Sequence, residues 1–434
     1  MSASLPSDAR NEVERHLAAG DLRRARETSA SLLERDPSDI QAQVLHASVL
    51  MAGGDWRTAA ELLAPAANRD DAPFAVAARF AVCSVALGDP KAALPAFGKA
   101  LAERPGDFAL RLAHGETLDA LGDGDAAVRA YFRAICDAQN QGQWLSDAST
   151  SPGLRGRVKQ AMQRVDEGRR ASFMQALEPH IATYGRDSLE RVIEALDIHL
   201  GLRAAPARDP RQQPKFFWMP SLPPTTFFDP KLFPWYEALE AQAGAIRDEA
   251  LAQLREASGL EPFLGDLDKA VEAEFLSGDE QSRAWDAFFF FRHGTRFDEH
   301  HAACPRTSAA LDAVPLTRIR AHAPEVLYSV LAPRSHITAH HGVTNTRVVT
   351  HLPLHIPDGD CALVVGADTH RWRQGRCITF DDSMLHEAWN RTGETRVVMI
   401  LDTWNPHLEE PERVALKDLV ERIGDFNAAA TGAH

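Results

Sequence analysis

The sequence predicts an α+β chain of more than one domain. A solenoid of helical repeats comes first and an all-β sandwich or jelly roll follows. Three observations carry this expectation. A Gly-Asp dipeptide returns at a fixed step through the first third of the chain. A polar, proline-bearing stretch, "RAAPARDPRQQP", breaks the chain near residue 210. Beyond about Phe288, short β-rich runs alternate with turn signals. A length of 434 residues also favours two cores over one.

The repeat is read from Gly20-Asp21, Gly54-Asp55, Gly88-Asp89 and Gly122-Asp123, each 34 residues after the last. An alanine follows each glycine by five positions: Ala25, Ala59, Ala93 and Ala127. Pro37 and Pro105 each lie 17 residues after their glycines. The period and the Gly…Ala…Pro pattern resemble a tetratricopeptide array. Each unit is then a helix, a turn at Gly-Asp and a second helix. The small alanine lets the two approach closely, and proline marks the step to the next unit. "VALGDPKAALPAFGKALAERPGD" has apolar residues at helical spacing. No unit buries its apolar face alone, so the units stack. The array is either a groove for a peptide or protein partner or a scaffold for its neighbour. No residue in it reads as catalytic.

The expected organisation is repeats over 1–140 and a helical extension with linker over 141–210. A β-domain over 211–410 and a C-terminal helix or tail over 411–434 complete it. "KFFWMPSLPPTTFFDPKLFPW" reads as an extended segment packed over another surface, and "YEALEAQAGAIRDEALAQLREA" as one helix. The net charge of -14 argues against nucleic acid or an anionic membrane as partner. The first residues lack the apolar core of a signal peptide. No run approaches the roughly 18 apolar residues of a membrane span. Cys83, Cys136, Cys304, Cys361 and Cys377 are scattered and show no C-x-x-C spacing, which fits a reducing cytoplasm.

The expected strands are "FFFF", "VLYSVLAP", "TRVVTHLPLHI", "CALVVG", "CITF" and "TRVVMILDTW". Two polar clusters interrupt this half: "SHITAHHGVTNTRVVTHL" and "FDDSMLHEAWNRTGETRVV". His340 and His386, 46 residues apart, each stand near the end of a strand-like run. Two imidazoles meeting at a barrel mouth suit a divalent metal such as iron or zinc. By the strand period of two, Arg347, Val349 and His351 share one face, and Val348, Thr350, Leu352 and Leu354 the other. The first face lines a polar pocket and the second meets the core. Arg396 falls at a strand start near the same mouth. A buried arginine needs an anion: a carboxylate cosubstrate, or an acidic side chain in a structural ion pair.

Residues from about Lys215 to Leu408 resemble the aspartyl/asparaginyl β-hydroxylase family. The strings that carry the likeness are "CPRT", "APEVLYSVLAP", His340-His341-Gly342-Val343-Thr344-Asn345, "THLPL", Trp372 to Gly375, "FDDSMLHEAWN" and Asp402 to Pro406. The resemblance implies a double-stranded β-helix and an Fe(II)- and 2-oxoglutarate-dependent oxygenase using O2. It implies His340 and His386 as iron ligands, Arg396 for the distal carboxylate of 2-oxoglutarate, and His351 and Ser329 as its other contacts. It also implies the absence of a third, carboxylate ligand, and Gly342 stands where that carboxylate is common.

Two positions depart from the family. His341 follows the first ligand in place of a small polar residue, and adjacent residues of an extended chain point to opposite sides. Val349 stands where the animal enzymes carry an arginine for anionic groups, a role open to Arg347. Arg347 and His341 are therefore the candidate substrate contacts. Asp381 and Asp382 read as a turn and as support for the metal histidine. His300 and His301 read as surface-loop residues, with a metal pair as the alternative. The activity so implied is hydroxylation of an Asp- or Asn-type side chain in a peptide or protein recruited by the repeats. The alternatives are a free amino-acid or small-molecule hydroxylase, a non-catalytic repeat protein with a degenerate β-domain, and a zinc-binding cupin-like domain.

Overall fold

The computed structural model describes residues 7–256, 259–265, 276–277 and 284–431. The ends of the expected terminal segments (1–6 and 432–434) and Ala257, the end of an expected helix, lie outside them. The chain divides into two compact units, Met1–Ala171 with Phe426–His434, and Ser172–Asp425.

In the first unit four helix pairs follow one another: α1 (Ser7–Ala18) and α2 (Leu22–Arg35), α3 (Ile40–Ala52) and α4 (Trp56–Ala67), α5 (Phe74–Ala86) and α6 (Pro90–Glu103), and α7 (Phe108–Ala120) and α8 (Gly124–Asn140). The recurring dipeptide joins the members of each pair. Its glycines take φ of +71°, +80°, +77° and +84°, the left-handed region where a Cβ is costly. Each aspartate caps the next helix, accepting from the backbone N–H of Arg24, Thr58, Ala92 or Ala126 at 3.0–3.4 Å. The four alanines five positions on are fully buried. One motif thus ends a helix, starts the next and spaces the pair. Asp89→Ala removes one cap, and a loss of about 1 kcal/mol is expected in the α6 end. Faster amide exchange at Ala92 would register it.

The second unit opens with the end of α9 (Arg155–Tyr184) and with α10 (Glu190–His199), both within stretches expected to be helical. The expected single helix over 236–257 is two, α11 (Tyr236–Ala241) and α12 (Ala243–Glu256). The Gln242 N–H turns back to Leu239 O at 3.0 Å, a tight last turn that ends α11. Two short helices, α13 (Asp298–Ala303) and α14 (Pro305–Leu311), follow later, and α15 (Glu410–Thr431) comes last.

The strands are β1 (Glu261–Pro262), β2 (Leu276–Ser277), β3 (Trp285–Arg292), β4 (Thr295–Arg296), β5 (Val326–Leu331), β6 (Ser335–His340), β7 (Arg347–His355), β8 (Cys361–Val365), β9 (Asp368–His370), β10 (Ile378–Phe380), β11 (His386–Asn390) and β12 (Arg396–Trp404). They form two antiparallel sheets. One is ordered β1-β3-β5-β12-β7-β10 with β4 on β3, the other β2-β6-β11-β8-β9. All six expected runs are strands. The histidine-bearing strands β6 and β11 are not among those six runs. Their sequences, "SHITAH" and "HEAWN", place polar groups on both faces and so lack apolar alternation.

Period two sorts β7 as expected. Val348, Leu352 and Leu354 join Val397, Met399 and Leu401 of β12, Tyr328 of β5, and Leu239, Ile246 and Ala250 of the helices in one core. Val349 faces the other way, into a second core with Leu331, Ile337, Leu363, Val365, Ala388 and Val398, drawn from both sheets. The expected extended segment runs beside the β6–β7 loop and then β10, with Phe216 N donating to Val343 O at 2.8 Å and Phe228 N to Thr379 O at 3.0 Å. Asn345 holds it from both sides, accepting from Met219 N and donating to Met219 O at 2.9 Å each.

Candidate active site

His340 ends β6 and His386 begins β11, and the two are register partners. Three residues lead from Ile337 to His340 where two lead from Ala388 to His386. The extra residue is a bulge that brings Ile337 and His340 to the same face. The imidazole centroids lie 4.1 Å apart. His340 Nδ1 donates to Thr338 O at 2.8 Å and His386 Nδ1 to Met384 O at 2.9 Å. A carbonyl only accepts, so both protons sit on Nδ1 and both Nε2 atoms keep a lone pair. Burial pushes His386 down to about 3, helped by the charge of His340, and burial also lowers His340. Two neutral imidazoles with free Nε2 atoms are the donor set a divalent metal takes.

The pair lines a cavity of about 160 Å³. Across it stand Ser329 of β5, His351 of β7 and Arg396 of β12, all from the other sheet. Arg396 is 1% exposed. Its contacts are neutral: Ser329 Oγ at 3.2 Å, Ser329 O at 3.4 Å, and the Trp372 ring centroid at 5.1 Å. Its Nε has no partner, and among the described residues no carboxylate pairs with it. Burial lowers its pKa to about 10. A cation in that state is poised for an anionic ligand.

Among the described residues no third His, Cys, Asp or Glu completes a metal-binding group. Gly342 instead packs on Asp382. A Cβ at residue 342 would lie 2.1 Å from Asp382 Oδ2. Asp382 is 8% exposed, Oδ1 lacks a partner, and burial raises its pKa to about 7 despite Arg347 nearby. Asp381 builds the turn, accepting from Ser383 N and Gln212 Nε2.

A folded-state pKa above the unfolded value makes the folded state hold the proton more tightly. Between about pH 4 and 7 the unfolded chain has lost this proton and the fold retains it, so stability falls as pH rises. Asp382→Asn is therefore expected to melt like the parent near pH 4. Near pH 8, metal-free, it should be more stable by roughly 4 kcal/mol. Melting curves at the two pH values test this.

Arg347 lines the cavity, but its guanidinium is engaged by Asp402. His341 points elsewhere and donates through Nδ1 to Ser383 O at 3.0 Å. His300 and His301 are helical, in α13, and not loop residues. His301 is buried against Phe290 and Phe291, and His300 stacks on Phe288. Trp285 and Phe263, which no motif marks, also line the cavity, as does Asp402, which like Trp372 stands in a family string without an assigned role. Their signal was weak: single residues outside the histidine clusters.

Residues 240–406 match the family model described as Aspartyl/Asparaginyl beta-hydroxylase. Over this segment the chain is similar to the aspartyl/asparaginyl β-hydroxylase family. Residues 84–146 match a tetratricopeptide-repeat model. The chain is 33% identical over 189 residues to an ornithine lipid ester-linked acyl 2-hydroxylase of Rhizobium tropici, covering 43% of this chain and 62% of that protein. It is 32% identical over 183 residues to the human aspartyl/asparaginyl beta-hydroxylase, covering 42% and 22%. A third relative, human aspartate beta-hydroxylase domain-containing protein 2, is 30% identical over 226 residues, covering 50% and 59%. The chain thus spans less than two thirds of each relative. Among described residues, no helix is long and apolar enough to cross a membrane.

Proposed function

We propose that this chain is an Fe(II)- and 2-oxoglutarate-dependent hydroxylase, its two sheets forming a double-stranded β-helix. The observation that supports this best is the opposition, across one small cavity, of two neutral imidazoles and a buried arginine that no acid among the described residues neutralises. His340 and His386 would hold the metal through Nε2. Arg396 would bind the distal carboxylate of 2-oxoglutarate, with Ser329 and His351 beside it. The chemistry a bound iron(II) supplies is oxidation by O2 that yields succinate, CO2 and a hydroxyl group on the substrate carbon. The protein's own part is to hold donors rigidly, keep both imidazoles neutral and exclude bulk water. Free cysteines agree with a cytoplasmic setting.

The substrate is a side chain of a peptide or protein that the repeats recruit. Within the repeat unit an apolar groove of about 720 Å³, lined by Phe74, Val82, Phe97, Leu110 and Ala113 among others, would seat it. A second reading, an acyl chain, has its own support. The cavity wall includes Leu327, Ile337, Val349 and Ile400 as well as the acidic Glu325 and Asp382, and Arg347 is committed to Asp402. The Rhizobium tropici relative is named for an acyl group.

The test is succinate formation. Protein prepared without oxygen receives Fe(II), 2-oxoglutarate and either Asp- and Asn-containing peptides or acyl esters, and air is then admitted. Succinate above a His340→Ala/His386→Ala control is expected, and its absence with every substrate would sink the proposal. Stimulation by acyl esters alone would select the second reading. Val349→Arg should shift any preference at least tenfold toward acidic side chains, about 1.4 kcal/mol. For a peptide substrate, Val82→Glu should raise KM with kcat unchanged, and an unaltered KM would remove the recruitment role.

A further inference from the structure

Two tryptophans stand behind the polar end of the cavity. Trp285 of β3 donates through Nε1 to Ser329 Oγ at 2.9 Å. Trp372, on the loop after β9, donates through Nε1 to His351 Nδ1 at 3.3 Å. Both indoles are buried, at 8% and 6% exposure. An indole N–H is a donor and nothing else, so each contact dictates where its partner keeps its proton.

For His351 the consequence is a single tautomer. Nδ1 accepts from Trp372, so it carries no proton, and the proton of the neutral ring is on Nε2. Burial, reinforced by the charge of Arg396, keeps this ring neutral. For Ser329 the count is similar. A hydroxyl has two acceptor positions and one donor. Trp285 Nε1 and an Arg396 terminal nitrogen, at 2.9 and 3.2 Å, fill both acceptor positions. The O–H is left to donate. Trp372 also presents its ring to Arg396, with the guanidinium carbon 5.1 Å from the centroid.

We propose that Trp285 and Trp372 are positioning residues that set the protons of Ser329 and His351, so that with Arg396 this end of the cavity offers donors only and takes a carboxylate. The roles follow from hydrogen-bond chemistry. A rotatable hydroxyl or a free imidazole accepts as readily as it donates and discriminates weakly between an anion and water. Once two donor-only indoles occupy the acceptor positions, the ambiguity is gone before the ligand arrives. The inference rests on the proposed reading only for the identity of the ligand, 2-oxoglutarate.

The experiment has two readouts on the full chain. The first is 15N NMR of histidine-labelled protein, with the His351 signals assigned by their loss in His351→Gln. The parent should show a neutral ring protonated at Nε2, and Trp372→Phe should show mixed tautomers. The second is calorimetric titration of 2-oxoglutarate into Fe(II)-loaded protein without oxygen, where binding occurs and turnover does not. Trp285→Phe and Trp372→Phe, which keep an aromatic ring and lose the N–H, should each weaken binding about tenfold. A parent His351 protonated at Nδ1 overturns the inference. So does unchanged 2-oxoglutarate affinity in both phenylalanine variants. Should the parent fail to bind 2-oxoglutarate, the proposed function falls, and the tautomer readout still decides this point on its own.

Discussion

Arg396→Met is expected to weaken 2-oxoglutarate binding by roughly 100-fold or more, while leaving the ligand-free protein at least as stable as the parent. The two halves of this result have one cause. Arg396 is buried beside Ser329, Trp372 and the cavity, with no carboxylate among the described residues to neutralise it. Keeping an unpaired cation out of water is costly, and burial accordingly lowers its pKa to about 10. A methionine, unbranched, apolar and somewhat shorter, removes that cost, and replacements of buried charge by apolar groups are often neutral or stabilising by about 1–4 kcal/mol. The same change strands the distal carboxylate of the ligand. Losing one partner of a buried charge pair costs about 2–5 kcal/mol, and each 1.4 kcal/mol is tenfold in affinity. Arg396→Lys keeps the charge without the planar fork and should fall between. Thermal melts with and without 2-oxoglutarate separate the two effects. A ligand-induced rise in Tm in Arg396→Met equal to that of the parent would count against the site.

The second large effect is expected from Gly342→Asp, which places a carboxylate two residues after His340. In a site with room for it, this would add a third metal ligand. Here residue 342 has no room. Its Cβ would fall 2.1 Å from Asp382 Oδ2 and 2.4 Å from Asp382 Cγ. Asp382 is buried, and its pKa is already raised to about 7, so a second carboxylate adds like charge to a clash. Overpacking of this kind costs about 1–3 kcal/mol before the charge is counted. Gly342→Asp should melt well below the parent and lose most metal affinity. Gly342→Asp/Asp382→Ala frees the space and should recover stability and bind metal at least as tightly as the parent. Equal melting of the single variant and the parent would show that residue 342 does have room.

Much of this was legible in the residues. The Gly-Asp repeat is a physical instruction, since the glycine closes one helix through positive φ and the aspartate caps the next. Its consequences are local, so spacing alone reveals them. The face assignment of Arg347, Val349 and His351 was equally local, because period two along a strand is geometry. Less legible were β6 and β11. Their polar residues serve a cavity, so they carry no apolar rhythm, and the histidines were visible where their strands were not. The break at Gln242 is similar, as nothing in "LEAQAGAI" forbids one continuous helix.

What the sequence determined by itself was the pair of architectures and the candidate chemistry: helix pairs from a 34-residue period, strands from alternation, and two histidines with an arginine ten residues on. What only the tertiary structure decided was how those groups are paired. The β6 bulge turns His340 to the side of His386. Asp402 takes Arg347, and among the described residues nothing acidic takes Arg396. Asp382 fills the space that Gly342 leaves, and two distant indoles dictate the protons of Ser329 and His351. The reason is physical. Backbone conformation follows from neighbours in sequence, whereas the charge and protonation of a buried group follow from whatever packs against it, and those partners come from strands far apart in the chain.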